Sequence, residues 1–132
     1  MINIFFSHSK KDRHNYINYV ANIIESNPLY KLWYYNYKHT KDTMDQILRN
    51  LCLIDVFVFF ISNNSLNSDF VQQEMQRANE LCIGNKIKEL CGIILEKNID
   101  TRDNIPNFIT SLEFCENPQQ AVTIIIKYCN NI

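Results

Sequence analysis

A carboxylate, Glu74, lies six residues beyond a polar stretch rich in hydroxyls, Ser62-Asn63-Asn64-Ser65-Leu66-Asn67-Ser68, and that stretch follows the most apolar run of the chain, Ile54-Asp55-Val56-Phe57-Val58-Phe59-Phe60-Ile61. A continuous apolar run of this length reads as a buried parallel strand, and ligands of open α/β sheets bind where the chain leaves the carboxyl ends of such strands. A helix opening at Ser68 carries Glu74 one turn beyond Phe70, near its start, and so offers a carboxylate to that crevice. A second polar turn, His8-Ser9-Lys10, ends another apolar segment, and Lys10 is suited there to an anionic, phosphate-type group.

Other chemistries are excluded by what these residues lack. Ser62, Ser65 and Ser68 suit helix capping; the histidines nearest in sequence, His8 and His39, belong to other loops, and no glycine flanks any serine as a nucleophile elbow requires. The two glycines, Gly84 and Gly92, do not follow the first strand, which excludes dinucleotide-binding and Walker-type phosphate loops. That strand ends in Phe5-Phe6-Ser7 rather than in acids, against a phosphoacceptor site. The five cysteines lie within apolar patterns without paired spacing, and His8, His14 and His39 are scattered, so no metal centre is expected and the thiols read as reduced core residues.

The elements that must position these residues alternate. Strands are expected at Ile2 to Phe6, Tyr30 to Tyr35, Asp55 to Ile61, Leu90 to Leu95 and Leu112 to Cys115. Ser9-Lys10-Lys11-Asp12 has the form of a capping box ahead of a helix with Ile17, Val20, Ala21 and Ile24 inward, which Asn27-Pro28 stops. A second helix runs from Thr43, with Met44, Ile47, Leu48, Leu51 and Cys52 inward. The third starts at Ser68, with Asp69 in its positive first turn and a Val71, Met75, Ala78, Cys82 stripe, and ends at Gly84-Asn85; the last opens at Asn117-Pro118. Trp33, Tyr34, Tyr35 and Tyr37 read as packing residues rather than as a stacking platform.

Five strands alternating with helices predict an α/β fold: a flavodoxin-like, doubly wound, five-stranded parallel sheet in the order 2-1-3-4-5. Its switch point lies between strands one and three, where the Ser7 to Lys11 and Ser62 to Ser68 loops meet, with Asn36 to Asp42 beside them. With 132 residues, 46% hydrophobic, the chain reads as one domain over 1–132. Thirteen basic and fourteen acidic residues are scattered, Lys10-Lys11-Asp12-Arg13 forming the one local cluster, which argues against nucleic-acid or membrane partners. Met1 to Phe6 has no basic leader and is too short to span a bilayer, so a cytoplasmic location is expected.

Phe5-Phe6-Ser7-His8-Ser9-Lys10-Lys11-Asp12, Val56 to Ser62, and Ser68-Asp69-Phe70-Val71-Gln72-Gln73-Glu74 together resemble the Toll/interleukin-1 receptor (TIR) domain family, its bacterial members most closely. The resemblance implies that Glu74 is the catalytic residue of an NAD+ glycohydrolase that releases nicotinamide and forms ADP-ribose or a cyclic isomer. NAD+ is then a substrate and no cofactor is needed. It implies substrate contacts from Ser7, His8, Ser9, Lys10, Asn36, Ser62, Ser68 and Phe70, the last standing where the family usually has Trp. It further implies homotypic TIR partners that complete the site on assembly, a fused or associated sensor module, and a role in anti-phage or other immune signalling. The alternative reading is a non-catalytic adaptor working through homotypic TIR contacts at Asn36 to Asp42 and helix surfaces.

Overall fold

Val56 to Ile61 is buried at every residue because both faces of this strand are covered. In the computed structural model, which describes residues 1–34, 46, 49–84, 86–99, 105–106, 108–109 and 111–132, this strand is β3 of a five-stranded parallel sheet. The others are β1 (Ile2–Ser7), β2 (Tyr30–Trp33), β4 (Glu89–Ile94) and β5 (Ser111–Phe114), in the order β2-β1-β3-β4-β5. The α-helices described over their full length are α1 (Asn18–Glu25), the short α2 (Asn63–Leu66), α3 (Asp69–Ile83) and α4 (Pro118–Cys129). The predicted strand order and doubly wound architecture are therefore observed.

The period of two along each strand sorts the core into two layers. Ile4, Phe6, Val56, Val58, Phe60, Cys91 and Ile93 face α1 and α4. Phe5, Phe57, Phe59 and Ile61 face α3, together with Leu51, Ile54 and Ile87. On that second face Phe5 and Phe57, register partners, stack with centroids 5.5 Å apart and ring planes 8° off parallel. Such a pair adds about 0.5–1.5 kcal/mol beyond its buried area. Gly92, in the middle of β4, is where Leu112 and Ile61 crowd the backbone: a Cβ there would lie 2.7 Å from Leu112 Cδ2 and 2.9 Å from Ile61 Cδ1.

Several local expectations are corrected. The segment after β1 is not one α-helix: Lys10–Asp12 forms a 3-10 turn and Arg13–Ile17 a π turn before α1 begins. Ser9 does cap this segment, accepting from the Lys11 N–H, but Asp12 does not complete a capping box, because its carboxylate is engaged elsewhere. The loop expected after β3 contains α2, opened by a reciprocal pairing of Ser62 and Ser65 in place of the usual Glu or Gln. In α3 the inward stripe is rotated: Leu81 is buried and Cys82 only half-buried. Cys52 is exposed, not a core thiol, since the chain leaves the helix as a 3-10 turn over Leu51–Leu53; Cys91, Cys115 and Cys129 are buried as expected. Tyr35, Tyr37, Asn36 to Asp42 and the start of the second predicted helix lie outside the described residues, while Gln46, Arg49 and Asn50 are helical. Among the described residues no helix is long and apolar enough to cross a membrane.

Candidate functional site

Strand parity explains the site's deepest pair. Ser7 has the parity of Phe5 and so points to the face covered by α3. Glu74 is three residues after Val71 and four before Ala78, so helical periodicity turns it toward the same face. The Ser7 hydroxyl donates to Glu74 Oε1 at 2.8 Å, with Ser7 fully buried and Glu74 only 2% exposed. A buried carboxylate is costly unless hydrogen-bonded, and the hydroxyl at the end of β1 supplies such a bond.

An open cleft of about 320 Å³, not lined by this pair, lies between the turn after β1 and the segment that leads into α3. One wall is Ser9, Lys10 and Lys11; the other is Asn63, Asn64, Asn67 and Ser68. Ser68 lines the cleft and caps α3, accepting from the Val71 N–H at 3.3 Å. Glu74 lies roughly 9 Å along the helix axis from that cap at 1.5 Å per residue, and Ser7 precedes Ser9 by two residues of extended chain, so the carboxylate and the cleft share one corner of the sheet. Two exposed lysines lining a cleft with three asparagines and two serines suit it to an anionic, oxygen-rich group.

Of the residues predicted to contact a ligand, Ser9, Lys10 and Ser68 line this cleft. Ser7, Ser62 and Phe70 do not. Ser7 is held by Glu74; Ser62 is fully buried, donating to Asp12 and accepting from the Ser65 N–H; Phe70 packs beside the α3-side core. His8 is half-buried, its ring 5.8 Å from that of Tyr34 and its Nδ1 3.2 Å from the Phe6 carbonyl. Arg13 Nη2 is 3.5 Å from His8 Nε2. A guanidinium only donates and a carbonyl only accepts, so both contacts are met by a neutral imidazole protonated at Nδ1. Asn36 lies outside the described residues.

Sequence reasoning placed the site where the Ser7 to Lys11 and Ser62 to Ser68 loops meet, which is where the cleft lies, but did not name Lys11, Asn63, Asn64 and Asn67 individually, and it misread Asp12. The concentration of asparagines between β3 and α3 was the available signal, since side-chain amides both donate and accept in such loops.

A family model of the TIR domain matches residues 4–125. The chain belongs to the TIR domain family. No curated protein sequence matches it. Among solved structures, the crystal structure of the RPS4 and RRS1 TIR domain heterodimer is similar, with a TM-score of 0.65 at 10% identity, covering 99% of this chain and 97% of that one. At that identity the likeness is one of fold, and it extends over essentially the whole of this TIR domain. Ser7 at the end of β1, Ser62 just after β3 and Glu74 on α3 all fall within the residues matched by the family model.

Proposed function

We propose that this TIR domain is an NAD+ glycohydrolase in which Glu74 acts on the nicotinamide ribose and the cleft receives the diphosphate. The observation that carries this reading is the Glu74 carboxylate, held by Ser7 at the same corner of the sheet as a cleft with two lysines. A carboxylate kept out of water in a preorganised position suits charge stabilisation better than surface packing.

The reaction asks little else of the protein. The C1′–N bond breaks with its electron pair leaving on nicotinamide, which departs neutral and needs no general acid. The ribose acquires oxocarbenium character, which one carboxylate stabilises while orienting the ribose hydroxyls. Water then adds at C1′ and loses a proton, giving ADP-ribose; a nucleophile within the same molecule gives a cyclic isomer instead. Lys10 and Lys11, with the Asn64 and Asn67 amides, hold the diphosphate oxygens. Activation by homotypic assembly, under a fused or associated sensor and in cytoplasmic immune signalling such as anti-phage defence, completes this reading.

The 2% exposure of Glu74 favours a second reading, a non-catalytic adaptor in which the carboxylate is a structural partner of Ser7. On the enzymatic reading, assembly or substrate opens the site to Glu74. The test is nicotinamide release from NAD+ by concentrated or artificially clustered protein, wild type against Glu74→Gln, which preserves shape and removes charge. Turnover lost in the variant supports the hydrolase. Equal turnover removes Glu74 from the chemistry, and absence of turnover in every clustered state, with concentration-dependent polymers, favours the adaptor.

A further inference from the structure

We propose that Asp12 is a positioning residue for the cleft: its carboxylate clasps the two walls at the separation a diphosphate-bearing ligand needs. This rests on the reading of the cleft as the diphosphate site. Asp12 ends the turn that forms the lysine wall, its own N–H donating to the Ser9 carbonyl at 3.0 Å. Its Oδ2 accepts from the Ser62 hydroxyl at 2.5 Å, and its Oδ1 accepts from Asn64 Nδ2 at 3.2 Å. Both partners belong to the opposite segment, 50 and 52 residues away in sequence.

The contact to Asn64 fixes a side chain that lines the cleft, so the clasp orients a group a ligand touches. The contact to Ser62 is locked from its other side, since the same hydroxyl accepts the Ser65 N–H at 3.0 Å and cannot rotate away without opening α2. From the far side of the loop, Glu96 Oε2 accepts from the Asn63 N–H at 3.2 Å. The asparagine wall is thus tied by one carboxylate to the end of β1 and by another to the end of β4.

Charge makes the same point. Asp12 follows Lys10 and Lys11 directly, and a free carboxylate there would compete for their ammonium groups. Both its oxygens are instead given to neutral donors, and among the described residues it makes no ion pair with either lysine. The lysines are left to an incoming anion.

The experiment compares wild type, Asp12→Ala, Asp12→Asn and Ser62→Ala by calorimetric titration with ADP-ribose and by NAD+ turnover of clustered protein. Asp12→Ala should bind ADP-ribose about tenfold more weakly, the scale of one lost hydrogen bond to a charged group, and raise KM for NAD+ similarly. Its kcat should stay within about threefold, because the Ser7–Glu74 pair is not touched. Asp12→Asn, retaining one acceptor oxygen, should fall between, and Ser62→Ala, which removes one arm of the clasp together with the cap of α2, should shift KM in the same direction. Amide exchange should quicken over residues 9–11 and 62–67 of Asp12→Ala while α4 stays protected; uniform loss of protection would assign Asp12 to general stability and overturn the proposal. So would unchanged ADP-ribose affinity and KM. Wild-type protein that binds ADP-ribose with the predicted Asp12 effect, yet never cleaves NAD+, supports the clasp and removes the hydrolase reading. Wild-type protein that neither binds nor cleaves removes both.

Discussion

The Ser7 hydroxyl and the Glu74 carboxylate, 67 residues apart in sequence, meet at 2.8 Å where the end of β1 passes under α3. Removing the donor leaves a buried carboxylate short of a hydrogen bond, a loss of about 1–3 kcal/mol. We expect Ser7→Ala to lower the urea-unfolding free energy by that amount. A change of only a few tenths would show that the contact contributes nothing.

Gly92→Ala should destabilise by about 1–3 kcal/mol through overpacking rather than through backbone strain. The added methyl meets the Leu112 and Ile61 side chains. Thermal unfolding of the double variant Gly92→Ala/Leu112→Val checks the cause: if the clash is the mechanism, the shortened neighbour makes the alanine cost less than it does alone.

Burial, with Glu113 contributing, pushes the Cys115 thiol up to about 11; burial, with Asp55 contributing, does the same to Cys129. Cys91 is raised further by burial among Cys129, Glu89 and Cys115. Unfolded thiols ionise first as pH rises, so the unfolded chain binds fewer protons and stability falls with pH. These thiols should therefore leave stability unaffected up to about pH 8 and erode it from there to about 11. Denaturant melts across that range test the sign, and a thiol reagent at neutral pH should label Cys52 quickly and the three buried cysteines only on unfolding.

Asn117 Oδ1 accepts from the Gln120 N–H at 3.0 Å and caps α4 ahead of Pro118. Asn117→Ala should cost about 1 kcal/mol, whereas Asn117→Asp should cost little. Arg77→Ala is the matched control: the Arg77–Glu80 ion pair on α3 is solvent-exposed, and its loss should stay below about 0.5 kcal/mol. Melting temperatures of the three variants separate the two effects.

The framework of the fold was legible because its signals are local. The apolar run ending at Ile61, the caps at Ser68 and Asn117, and alternation of strand with helix each depend on neighbouring residues. What escaped depends on distant ones. Asp12 looked like a capping acid because Ser62 and Asn64, its partners, are some fifty residues away. α2 escaped because Ser65 does the reciprocal capping usually done by Glu or Gln. The stripe read as Val71, Met75, Ala78 and Cys82 omits Glu74, which the helix buries; the parity of Ser7 with Phe5, a hydroxyl aimed at a helix-covered face, would have supplied the missing partner.

The described sheet ends in two strands of four residues, β2 and β5. In β2 the exposed Lys31 lays its ammonium 4.4 Å over the Trp33 ring, and β5 presents Glu113 beside the exposed Phe114. Short margins that carry charge are poor templates for another chain's backbone. The described sheet margins therefore resist strand-by-strand addition, which guards the domain against edge-to-edge aggregation.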